Sequence, residues 1–136
     1  MSQENVELVG GLYDAFARGD AVTPFEVYSE DMVWDVSNAR RGWLGSKSVY
    51  RGHEGVRQFW RDGLSAFGVV DLEVEELIDG GDQVMAVIRE RDVGRVSGAP
   101  VETMHFAVWT LDGSKVVRLQ IFDDRQQARE AVGLSE

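Results

Sequence analysis

The sequence predicts an α+β fold in which helices come first and a strongly bent antiparallel sheet follows. Before residue 50 the apolar side chains recur mainly at helical spacing, whereas residues 69–123 fall into four long strand-like runs. Short glycine turns, Gly80-Gly81 and Asp112-Gly113, link those runs, and links that short force antiparallel neighbours. Between the halves lies Tyr50-Arg51-Gly52-His53-Glu54-Gly55-Val56-Arg57-Gln58-Phe59-Trp60, a glycine-punctuated turn running into a third helix. The apolar face of that helix, Val56, Phe59, Trp60, Leu64 and Phe67, must pack on the sheet. A long twisted sheet curling round three helices makes a cone with an open mouth, so a cavity should open beside that face.

The elements follow in order. Residues 4–18 form the first helix, with Val6, Val9, Leu12, Tyr13 and Phe16 on its apolar face and Gly19 placed to end it. Gly10-Gly11 in its middle costs roughly 1 kcal/mol per glycine, so either another backbone approaches there or the helix is weak. Thr23-Pro24-Phe25-Glu26 starts a short helix ending near Ser29, with threonine as cap and proline at the first helical position. Residues 31–36 read as a strand around Trp34, and residues 37–48 as a loop whose large apolar side chains are Trp43 and Leu44. Those two would close over the cavity as a lid or pack against a partner subunit. The four strands are 69–79, 83–93, 101–111 and 115–123, with a longer connection at 94–100. A final helix, 125–132, ends at Gly133.

In the run 101–111 both alternating sets are apolar: Val101, Ala107, Trp109 and Leu111 on one side, Met104, Phe106 and Val108 on the other. A strand buried on both faces needs a second cover, and a partner subunit is the simplest one, which predicts a homodimer through the sheet.

At 136 residues the chain is read as one domain, 1–136, long enough to bury a sizeable core without staples. No apolar run approaches the roughly 20 residues of a membrane span and no charged-then-apolar leader precedes the first helix, so a cytoplasmic protein with no membrane contact is expected. Cysteine is absent, which removes disulfides, thiol nucleophiles and cysteine-ligated zinc. The two histidines lie far apart, and Arg57 stands where a second histidine would complete a zinc-binding helix with His53, so no metal site is expected. A formal net charge of −10 would repel a phosphate backbone and argues against nucleic acid as a partner. Within 36–61 the balance reverses locally: Arg40, Arg41, Lys47, Arg51, Arg57 and Arg61 face a single acid, Glu54. That cluster reads as a solvated face or as a landing site for a small anion. No phosphate loop, nucleophile elbow or nucleotide fingerprint occurs, and no cofactor is expected.

Five stretches carry a resemblance over nearly the whole chain. They are Ser2-Gln3-Glu4-Asn5-Val6-Glu7 with Phe16-Ala17-Arg18-Gly19-Asp20, Tyr50-Arg51-Gly52-His53-Glu54-Gly55-Val56-Arg57, Val108-Trp109-Thr110-Leu111, and Ala131-Val132-Gly133-Leu134-Ser135-Glu136. On these the chain resembles the SnoaL-like branch of the NTF2-like superfamily. The resemblance implies a cone-shaped NTF2-like fold, three helices against a bent antiparallel sheet, an apolar pocket and usually a homodimer through the sheet. The family spans polyketide cyclases, ketosteroid isomerases, epoxide hydrolases and dehydratases, so fold alone does not assign a reaction. Its ketosteroid isomerases use a tyrosine on the first helix, an aspartate after the first strand and a protonated aspartic acid on a later strand. Alignment places Leu12, Val36 and Phe106 there, with Tyr13 and Asp35 each one residue away. Its polyketide cyclases use a histidine and an aspartate on the last two long strands, where alignment places Ala107 and Ile121, with His105 and Asp123 each two residues off and on the same face.

The candidates follow from these counts. His105, a histidine inside an apolar strand, is the candidate proton shuttle, because the ordinary histidine pKa lies near neutrality; the competing reading is a histidine satisfied in the core or at an interface. Asp35, beside Trp34, and Asp123 are the candidate catalytic carboxylates. Against them stand an ion pair or solvent for Asp35, and helix capping for Asp123 and Asp124. Arg89 and Arg91 alternate with Glu90 and Asp92, so one pair faces inward; Arg89 is taken as a ligand contact, against the alternative of ion pairs on an exposed rim. Phe16, Trp34, Trp60, Met104 and Phe106 are taken to line the pocket. The expected ligand is a small apolar molecule. The expected chemistry is acid/base catalysis of the isomerase, cyclase or epoxide-hydrolase type, with noncatalytic ligand binding or dimeric assembly as the alternative.

Overall fold

A computed structural model describes residues 2–39, 47–94 and 97–133. The first helix, α1 (Ser2–Arg18), buries Val9, Leu12, Tyr13 and Ala15 as its spacing predicts. Neither glycine in its middle answers a close backbone. A Cβ on Gly10 would make ordinary contact with Leu77 at 3.5 Å, and one on Gly11 would meet nothing within 4 Å. The second helix, α2 (Thr23–Val27), is shorter than the sequence suggests and is not capped by Thr23. Asp20 does that work: its Oδ1 accepts from the amides of Val22 and Thr23 at 3.0 Å each.

Strand β1 (Tyr28–Asn38) begins directly after α2, and the three-residue β2 (Val49–Arg51), which the sequence did not announce, pairs antiparallel with it. Helix α3 (Gly52–Ala66) then starts at a glycine with φ 72°, where an added Cβ would sit 3.1 Å from the Glu30 carbonyl oxygen. His53 belongs to this start, its Nε2 lying 3.0 Å from the Tyr28 carbonyl oxygen. Val56 and Phe59 are buried and Trp60 half-buried, but Leu64 is exposed, and Phe67 begins the next strand instead of ending the helix.

Strands β3 (Phe67–Asp79), β4 (Gln83–Gly94), β5 (Pro100–Asp112) and β6 (Lys115–Phe122) form the expected antiparallel meander, turning at Gly81 and Gly113, both with positive φ. The six strands lie in the order β2-β1-β6-β5-β4-β3 in one curved, unclosed sheet. The sheet departs from the antiparallel expectation at one pair: β1 runs parallel to β6. The long passage between them, through α3 and three strands, supplies the crossover a parallel pair requires.

The inner face of the sheet and the helices share one core, in which Trp34, Trp109, Tyr28, Tyr50 and Met32 are among the largest fully buried side chains. A second cluster on the outer face holds Met85, Val87, Phe106, Val108 and Phe122, with Ala128 and Val132 against them. Those last two come from α4 (Arg125–Ala131) and the residue after it, so this chain itself covers Phe106 and Val108 on the outer face of β5, while Met104 is exposed. Asp124 caps α4, its side chain accepting from the Gln126 amide at 2.8 Å. Among the described residues no helix is long and apolar enough to cross a membrane.

Candidate functional site

Between α1, α3 and the inner face of β3–β6 lies a cavity of about 480 Å³. Its aromatic side is Tyr13 and Phe16 from α1, Trp34 from β1 and Phe59 and Trp60 from α3. These rings pack edge-on and tilted: Phe16–Trp60 centroids are 5.4 Å apart and Trp34–Phe59 4.9 Å. Tyr13 is pinned, since its hydroxyl accepts from the Trp109 indole N–H at 3.1 Å. Burial pushes its pKa well above the usual phenol range, so it stays neutral.

The polar groups come from the opposite wall. On β4 the inward positions Val84, Ala86 and Ile88 are apolar and buried; the same face continues as Glu90 and Asp92, which line the cavity. On β5 the register sets Ile88 opposite His105 and Glu90 opposite Thr103, so His105 and Glu90 are diagonal neighbours. The Nδ1 of His105 lies 2.9 Å from Glu90 Oε1. An ionised carboxylate only accepts, so Nδ1 carries the proton and donates it, and in the neutral tautomer this selects the lone pair sits at Nε2.

The Glu90 and Asp92 carboxyls are themselves hydrogen-bonded, and their pKa values are pushed apart. Burial raises Asp92, and the bond to Glu90 and its negative charge raise it further, to about 8. Burial also opposes ionisation of Glu90, but the bonds from His105 and Asp92 outweigh it and hold Glu90 below the usual carboxylate range. At neutral pH the pair therefore shares one proton, which resides on Asp92.

Two of the three carboxylate and histidine candidates face the cavity. His105 and Asp123 line it. Asp35 does not: Trp34 and Val36 point in, so Asp35 points out. There its Oδ1 accepts from the Ser37 amide at 2.9 Å and the Ser37 hydroxyl at 2.6 Å, and Oδ2 sits 3.6 Å from the Arg118 guanidinium. Arg89 is likewise on the outer face, bonded to Glu75 at 3.1 Å and Glu102 at 3.2 Å. Of the residues taken as ligand contacts, Phe16, Trp34 and Trp60 face the cavity; Met104 and Phe106 border it from β5, but their alternation with His105 puts their side chains on the outer face, where Phe106 packs with Met85 and Val108, and Arg89 does not border it. The proposed lid residues Trp43 and Leu44, and Arg40 and Arg41, lie outside the described residues. Glu90 and Asp92 are the polar groups that sequence reasoning passed over, choosing the arginines of the same alternation instead.

Residues 9–119 match the SnoaL-like domain family. The chain belongs to that family. No protein of curated function matches this SnoaL-like chain. Solved structures similar to it include TerC co-crystallised with polyporic acid, at 20% identity and a TM-score of 0.77, covering 95% of this chain and 98% of that one. Another is Bal32a from a soil-derived mobile gene cassette, at 21% identity, TM-score 0.76, covering 96% of this chain and 97% of that one. A third is a putative SnoaL-like polyketide cyclase from Jannaschia sp. CCS1, at 19% identity, TM-score 0.74, covering 96% and 92%. At these identities the likeness shows that the SnoaL-like chain shares their NTF2-like fold.

Proposed function

We propose that this SnoaL-like domain binds a small, largely apolar molecule and moves a proton on it with its own side chains. The carrying observation is the Glu90–His105 bond at the cavity wall. A carboxylate on Nδ1 fixes the ring orientation and tautomer and stabilises the imidazolium that forms when Nε2 takes a proton. Set against aromatic walls, such a base suits removal of a proton from carbon beside a carbonyl. That step is common to isomerisation and aldol cyclisation, and the polyketide cyclase among the structural neighbours is consistent with it. Epoxide opening fits less well, since Arg89, the arginine taken as a ligand contact, is turned outward and leaves no arginine from β4 to orient an attacking water. A positioned general base contributes roughly 10²–10⁴-fold.

The test is deuterium exchange from solvent into the α-carbon of aryl ketones and 1,3-diketones, followed by NMR. Exchange with wild type should vanish in His105→Ala and fall about ten- to a hundredfold in Glu90→Gln, with a changed pH profile in the latter. The melting temperature should move far less than the rate. Exchange that survives His105→Ala would sink this reading. Binding of the ketones without any exchange would instead favour the noncatalytic alternative, which the engaged Tyr13 hydroxyl and the outward Asp35 also support.

A further inference from the structure

Beside His105 the inner face of β5 carries a hydroxyl that the fold does not use. Thr103 lies two residues before His105 in a ladder without a register shift, so its side chain shares the inner face with His105, Ala107 and Trp109. Its cross-strand partner on β4 is Glu90, the acid bonded to His105, which sets the hydroxyl next to that pair. Glu90 draws its bonds from His105 and Asp92, and the Thr103 side chain makes no hydrogen bond among the described residues. Thr103 is exposed and lines the cavity, so its hydroxyl is open to a molecule lying there. Packing does not call for that hydroxyl, since a valine has the same branched shape and suits a strand as well.

Resting on the proton-transfer reading of this cavity, we infer that Thr103 is the subsite for the carbonyl oxygen of the substrate. Its hydroxyl donates to that oxygen while His105 acts on the neighbouring carbon. Residues two apart on one strand face are separated by roughly 6.5–7 Å. A ketone spans that gap: with its oxygen on the Thr103 hydroxyl, its α-carbon, two bonds away, comes within about 3–3.5 Å of His105 Nε2. The α C–H bond breaks as Nε2 takes the proton, and its electron pair becomes the carbon–carbon double bond. The carbonyl π pair moves onto oxygen, so the new charge appears at the atom to which Thr103 donates. In the reverse step Nε2 returns a solvent-exchanged proton to carbon. An enolate oxygen accepts more strongly than a ketone oxygen, so the bond tightens along the reaction and acts on turnover more than on affinity. The subsite thereby narrows the substrate class to molecules whose carbonyl stands next to the carbon that reacts.

The experiment compares wild type with Thr103→Val, which keeps the shape and removes the hydroxyl, and Thr103→Ser, which keeps the hydroxyl. At an exposed position neither change should alter the melting temperature appreciably. With 1-acetonaphthone in deuterated water, Thr103→Val should lower kcat for exchange about tenfold with a smaller change in KM, and Thr103→Ser should retain most of it. A donor in a closed site is worth roughly 10²–10³-fold, and at an open one water replaces part of the loss. A second arm reads binding alone, by isothermal titration calorimetry with 1-acetonaphthone and 1-isopropenylnaphthalene, in which a CH₂ group stands for the oxygen. The affinity ratio of ketone to hydrocarbon should fall about threefold in Thr103→Val and hold in Thr103→Ser. An unchanged ratio in Thr103→Val overturns the inference, as does an equal loss of kcat in the serine variant or a ketone that does not bind wild type at all. Exchange by wild type that Thr103→Val leaves intact overturns it too, while the His105 reading stands. Wild type that exchanges nothing while the ratio still falls sinks the proton-transfer reading and keeps the subsite.

Discussion

Replacing Asp92 by Asn should stabilise the protein, and by an amount that grows with pH. The folded state holds Asp92 near pKa 8 against an ordinary value of 3.8, so between those limits the native chain binds a proton that the unfolded chain has released. Its contribution is therefore fully present below about pH 4 and is lost as pH rises through about 8. The span is about 4 units, and at 1.36 kcal/mol each the full linkage would be roughly 5–6 kcal/mol. Two effects discount it. Glu90 shifts in the opposite direction, and cavity solvent screens part of the charge, so about 2–3 kcal/mol is the working figure. Asparagine keeps the shape and both hydrogen-bonding functions of the protonated acid but cannot ionise. Urea denaturation followed by tryptophan fluorescence, from pH 4 to 9, should show wild type and Asp92→Asn nearly equal at pH 4. They should diverge steadily to about pH 8 and run parallel beyond it. Parallel curves across the whole range would refute the shared-proton description of the acid pair.

Tyr13→Phe removes the acceptor for the buried Trp109 N–H and should cost about 1–3 kcal/mol, independent of pH between 5 and 8, by the same denaturation assay. Gly11→Ala lies in the interior of α1 with open space around the added methyl, and should raise stability by about 1 kcal/mol, visible as a higher urea midpoint at unchanged slope.

The meander was legible because its signals are local. Gly80-Gly81 and Asp112-Gly113 turn two of the hairpins, and the four strand-like runs match β3–β6 to within two residues at each end. The parallel β1–β6 pair was not, since nothing near either strand marks a partner some eighty residues away in sequence, and β2 is too short to carry a period. For the site, the alternation Met32, Trp34, Val36 already decides against Asp35: in a regular strand Trp34 and Asp35 cannot both face one cavity. His105 was legible by parity with Ala107 and Trp109 on the same face. Glu90 and Asp92 were not, because β4 is apolar on both faces just before them. Val84, Ala86 and Ile88 face in and Met85 and Val87 face out, so the period gives no reason to send the acids inward and the arginines outward. The reason lies across the ladder, where Arg89 and Arg91 share Glu102 on the outer face, both at 3.2 Å. A contact set by register between strands cannot be read along one strand.

The same ladder argues about purpose. Val70 and Val101 flank position 92, so a valine or leucine there would complete an apolar band across three strands. A carboxyl in its place loses that burial and weakens the fold as pH rises through about 8. Part of the cost is offset locally, because the Asp92 proton helps keep Glu90 ionised, and an ionised Glu90 is what holds His105 with Nε2 free to accept. Acids in a cleft whose pKa values are pushed apart by burial and by each other are the arrangement expected at a functional site. In the proposed proton transfer Asp92 therefore serves the base indirectly, through Glu90.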